Sequence, residues 1–90
     1  MKEFLVYIHA QLNKILSLYK SSENLTEEDN ELLKSLRGVV FILEDFAEKT
    51  EDRKLYQIAD DMEYAIHHMW VWFKAEGALK DVEKNIGNYD

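Results

Sequence analysis

Apolar residues return at every third or fourth position along almost the whole chain. Leu5, Ile8, Leu12, Ile15 and Tyr19 form one such stripe, and Leu32, Leu36, Val39, Leu43 and Phe46 a second. Leu55, Ile58, Met62, Ala65, Met69 and Trp72 form a third. A helix turns by about 100° per residue, so this spacing gathers each stripe on one helical face, whereas a strand would need a period of two. Three amphipathic helices of similar length must bury those faces on one another. The pattern therefore predicts an all-α fold, an antiparallel three-helix bundle with short connections. With no proline and only three glycines, little in the chain interrupts a helix.

Local chemistry sets the expected boundaries. Ser21-Ser22-Glu23-Asn24 breaks the first stripe and reads as a loop. Thr26 opens Thr-Glu-Glu-Asp, in which the hydroxyl can accept an orphan amide and the acids sit at the positive end of the helix dipole. Thr50 opens a similar Thr-Glu-Asp. We place helices over 2–20, 26–49 and 51–75. Leu79, Val82, Ile86 and Tyr89 continue the helical spacing after Gly77. They predict either a short fourth C-terminal helix over 78–89, starting after a stop at Gly77, or an extension of the third. The chain of 90 residues is expected to be a single domain, residues 1–90.

Composition narrows the function. Apolar residues make up 47%, as in folded proteins, and there is no cysteine for a disulfide or a thiolate metal site. The net charge of −7 argues against binding nucleic acid or an anionic membrane, both of which demand basic surface. The longest apolar run, Val39 to Leu43, cannot span a bilayer. Met1-Lys2-Glu3-Phe4 lacks the basic start and apolar stretch of a signal peptide, so a cytoplasmic protein is expected.

Few motifs carry chemistry. Glu27-Glu28-x-x-Glu31 resembles the EExxE motif of the all-helical MazG-like nucleotide pyrophosphohydrolases, which hold magnesium between carboxylates of neighbouring helices. That family adds an ExxD on the following helix. Here no glutamate is followed three places on by aspartate, and Asp60, Asp61 and Glu63 are the substitutes in the third helix. Acids in a first turn are also what the helix dipole favours. Glu63 and His67 share a helix face and His68 adjoins, but beyond His9 no histidine remains to complete a zinc site. Neither His67 nor His68 is followed by the lysine and glycine of bundle phosphotransfer domains. We expect no catalytic residue, no metal and no cofactor.

Two features point instead to a protein partner. Glu44, Asp45 and Glu48 crowd the last turns of the second helix, where the dipole prefers cations, and Glu51 and Asp52 enlarge the cluster. Residues 44–63 hold eight acids against three bases. Such a corner would steer a basic protein. The second feature is apolar residues off the stripes. Trp70 lies in line with His67 and Lys74, Phe41 with Arg37 and Asp45, and Tyr7 and Leu18 stand apart on the first helix. Together they predict a contact surface for another protein or for a second copy. The expected function is non-catalytic protein binding, similar in build to small inhibitory, immunity and antitoxin proteins. The expected contact residues are Phe41, Glu44, Asp45, Glu48, Glu51, Asp52, His67 and Trp70. A homo-oligomeric module is the alternative, with a minimal MazG-like hydrolase behind it.

Overall fold

The computed structural model describes residues 1–22, 25–69 and 72–89; for Tyr19, Ser21, Ser22, Trp72 and Phe73 it describes the backbone alone. Helices α1 (Lys2–Ser22), α2 (Glu27–Lys49), α3 (Arg53–His67) and α4 (Trp72–Gly87) pack as an antiparallel all-α bundle, with no strand among the described residues. The molecule measures 39 × 22 × 20 Å. Helix α2 packs along α3, α3 along α4, and α4 along α1, but α1 and α2 scarcely touch although they follow one another in sequence.

The helix ends explain the chain reversals. Thr26 Oγ1 accepts the Asp29 amide at 3.1 Å and starts α2 as its sequence predicts. The next turn is built differently from expectation. Thr50 belongs to the end of α2, donating its hydroxyl to the Phe46 carbonyl at 2.9 Å. Asp52 is the N-cap of α3, its Oδ1 accepting the Leu55 amide at 3.0 Å. Between them the Asp52 amide reaches back to the Ala47 carbonyl and the Glu51 amide to that of Glu48. This paired bonding is a Schellman ending, which needs a left-handed residue and usually takes glycine. Glu51 fills that position with φ at +56°.

The third helix ends at His67, not near residue 75, and α4 begins at Trp72. Gly77 therefore lies inside α4 and stops nothing. The fourth helix is a full member of the bundle, one residue longer than α3. The stripe that ran unbroken from Leu55 to Trp72 spans a turn, and neither glycine nor proline marks it. The amide of His68, the C-cap, bonds the Tyr64 carbonyl at 3.0 Å.

The core contains the predicted faces of α1, α3 and α4, apart from Tyr19 and Trp72, whose side chains lie outside the described residues. Leu5, Ile8, Leu12 and Ile15 meet Leu55, Ile58, Met62, Ala65 and Met69, together with Leu79, Val82, Ile86 and Tyr89. On α2 the buried line is turned by one residue. Leu36 and Leu43 are buried as expected, but their companions are Leu33, Val40 and Ala47. Leu32 and Phe46 are exposed, and Val39 packs only against the margin of the core.

Candidate functional site: the acidic corner of α2 and α3

Successive turns of α2 carry Phe41, Glu44, Asp45 and Glu48 within about 100° of arc, with Glu44 at the edge that meets α3 and the other three exposed. The Schellman ending and the Asp52 cap then swing the chain back, so that Glu51, Asp52 and Tyr56 close the corner from the other side. Ala47, Glu48, Glu51, Asp52, Arg53 and Tyr56 line a shallow depression of about 400 Å³. Antiparallel packing of α2 on α3 brings Glu44 against Asp60 and Glu63, with one carboxylate oxygen from each lying within 4.8 Å of the others.

Glu44 is the unusual member. It is partly buried, and its Oε1 is buried without a hydrogen-bond partner. The groups facing it are carboxylates, which donate nothing unless one carries a proton. Burial, a hydrogen bond to Glu63 and repulsion from Glu63 and Asp60 push Glu44 up from 4.5 to about 7. The same field reaches Tyr56, whose phenol is raised mainly by Glu44, then by its own desolvation and by Asp60, Glu48 and Glu63. Chemically, the trio can share a proton, accept an ammonium or guanidinium, or hold a hard cation through oxygen ligands.

The other expected contact residues take different surroundings. Phe41 is exposed, with the Arg37 guanidinium 5.2 Å from its ring centre. Asp45 is exposed and pairs with Lys49 at 2.8 Å. Glu48 and Glu51 are exposed, while Asp52 is partly buried. Asp52 uses one oxygen for the cap of α3 and accepts the Tyr89 hydroxyl on the other at 2.9 Å. His67 is exposed at the C-terminal end of α3, one turn beyond Glu63 and about 20 Å along the helix from the Asp52 end of the corner at a rise of ~1.5 Å per residue. The structure thus gathers Glu48, Glu51 and Asp52 around the depression and Glu44 in the trio with Asp60 and Glu63, while Phe41 and Asp45 lie exposed on α2 and His67 one turn beyond Glu63; Trp70 lies outside the described residues.

Sequence reasoning did not place Asp60, Glu63 and Tyr56 in the corner. Their excess acidity was visible in residues 44–63, but their approach to Glu44 depends on the α2–α3 register. Glu27, Glu28 and Glu31, the MazG-like residues, sit on the first turns of α2. There α2 lies beside Ile66 and His67, and no described carboxylate trio includes those glutamates. The His67 ring meets His68 edge to face at 5.0 Å, and His68 lies against Tyr64 at 4.2 Å. His9 Nε2 donates to the Leu79 carbonyl at 2.9 Å and ties α1 to α4. Among the described residues, no histidine joins a group of three metal-ligating side chains, and no helix is long and apolar enough to cross a membrane.

Comparison with known protein families, curated proteins and solved structures finds no match to this chain.

Proposed function

We propose that this protein acts without catalysis, by binding a basic protein at the α2–α3 corner, in the manner of small inhibitory, immunity or antitoxin proteins. The observation that carries this reading is the Glu44 carboxylate, held against Asp60 and Glu63 with a buried oxygen that nothing satisfies. Mutual repulsion of this kind costs the free protein stability, and an arginine or lysine entering from a partner removes the cost. The surrounding Asp45, Glu48 and Glu51 extend the negative field outward, where it speeds encounter. Exposed Phe41 and Tyr56 flank the acids with aromatic surface of the kind that anchors interfaces.

The test is association kinetics with the partner recovered by affinity capture from the source cells. A triple variant, Glu44→Gln, Asp45→Asn and Glu48→Gln, should bind more slowly, by on the order of tenfold at low salt, and lose most of the salt dependence of its association rate. Unchanged association rate and salt slope would show that the corner does not dock the partner. The variant should stay folded, since none of the three side chains belongs to the core.

A further inference from the structure

We infer that the open side of the bundle, between α1 and α2, is covered by a second copy of the same chain. A four-helix bundle closes when each helix packs on two neighbours. Here α2–α3, α3–α4 and α4–α1 are packed, and the fourth seam, α1–α2, is nearly empty. On α1, His9 points to α4 while Leu5, Ile8 and Leu12 point to the core. At about 100° per residue, Phe4 and Tyr7 fall on the opposite flank from His9, toward the open seam. On α2, Glu44 points to α3 while Leu36, Val40 and Leu43 point to the core. Leu32, Ile42 and Phe46 fall on the flank away from α3, toward the same seam. The two helices thus offer one apolar face.

Its size suits self-association. Phe4 is 43% exposed, Tyr7 57%, Leu32 36%, Ile42 70% and Phe46 49%. At roughly 200 Å² for a large side chain, these five present on the order of 500 Å². That reaches the upper range for the largest apolar patch on a monomer, and it supplies most of the ~800 Å² that each partner gives to a stable interface.

Charge selects the occupant and its orientation. On α1, Lys20 pairs with Glu76 of α4 and Lys2 falls on the His9 flank, so Lys14 is the lysine that borders the open face. On α2, Glu28 and Glu31 fall beside the open face, whereas the corner acids Glu44, Asp45 and Glu48 lie toward the other flank. Two copies related by a two-fold axis parallel to the helices place α1 of each on α2 of the other, so opposite charges meet twice. Counted from the end of α1 and the start of α2, Tyr7 then comes level with the second copy's Ile42, and Phe4 with its Phe46. Lys14 borders the face on α1, and Glu31 on α2. The acidic corner lies on the other flank of α2 and stays open.

Sedimentation velocity and native mass spectrometry on the full chain test this directly. The wild type should be a dimer at about 10 µM. Ile42→Glu and Tyr7→Glu should each weaken the dimer by on the order of 100-fold while leaving a helical, cooperatively melting monomer, because both residues are exposed. Lys14→Glu should weaken it less, and Glu31→Lys added to Lys14→Glu should restore it. A wild type that stays monomeric at about 100 µM overturns the inference, including one whose apolar face binds vesicles or amphipathic peptides instead. So does a dimer that tolerates both Ile42→Glu and Tyr7→Glu.

Discussion

Replacing Glu44 by glutamine should stabilise the protein at high pH and do almost nothing at low pH. The folded protein holds this carboxyl at about 7, against an ordinary 4.5. Between those values the folded state keeps a proton that the unfolded chain has lost. The folded state binds more protons, so stability falls as pH rises through this window, and the loss is complete above about 7. At about 1.4 kcal/mol for each tenfold change in proton affinity, the bound on that loss is roughly 3 kcal/mol. Water reaches part of Glu44 and screens its neighbours, which brings the effect to about 1–2 kcal/mol. Glutamine is neutral throughout and can still donate to Glu63. Urea unfolding followed by circular dichroism, run from about pH 4 to pH 8, should show the variant and wild type coinciding at the acid end. At the alkaline end they should separate by about 1–2 kcal/mol, with Tm raised by several degrees in a domain of this size. A separation that is the same at both ends would refute the reasoning, because a packing or hydrogen-bond effect does not titrate.

Four further outcomes follow from the backbone and the caps. Gly38 lies inside α2 and Gly77 inside α4, and an added Cβ at either meets nothing within 4 Å; Gly38→Ala and Gly77→Ala should each add about 0.5–1 kcal/mol to the free energy of unfolding in urea, and the two should sum. Glu51→Gly should raise Tm by a few degrees, since it relieves about 1 kcal/mol of left-handed strain at φ +56° and removes a negative charge from the end of α2. Asp52→Ala should destabilise by about 1–2 kcal/mol through the lost cap and the stranded Tyr89 hydroxyl. Tyr89→Phe in thermal melts should cost less than Asp52→Ala, because the cap of α3 survives.

The parts of this fold that sequence reading recovered are those where one apolar line of a helix runs longer and more regularly than any other. Leu5, Ile8, Leu12 and Ile15 run on where the off-stripe Phe4, Tyr7 and Leu18 do not, and the α3 and α4 stripes were equally plain. Helix α2 carries two overlapping lines a residue apart, Leu32–Val39–Phe46 and Leu33–Val40–Ala47, both at heptad spacing. Size favours the first, because phenylalanine looks more like core than alanine. The structure buries the second, with Leu33, Val40 and Ala47 all in the core. The α3–α4 turn was hidden for a related reason. Its stripe keeps helical spacing across the break, and the polar contacts between the two helices join residues distant in sequence. Asn85 Nδ2 donates to Asp61 and the Tyr89 hydroxyl to Asp52, and both hold α4 back along α3. The corner was legible as excess charge around Glu44, Asp45 and Glu48. Its sharpest feature was not, since the contact of Glu44 with Asp60 and Glu63 exists only after α2 and α3 are in register.

The empty α1–α2 seam bears on the order in which the protein is made. Helix α1 leaves the ribosome before the other three, yet its principal partner is α4, the latest of the four to be synthesised. At ~5–20 residues per second, the stretch from Ser22 to Trp72 takes roughly 3–10 s to appear. During that interval α2 and α3 can close as a local hairpin, but Leu5, Ile8, Leu12 and Ile15 wait without their surface. The nascent chain therefore passes through a stage with an amphipathic helix displayed and unmatched, and that stage is where a ribosome-associated chaperone would find it.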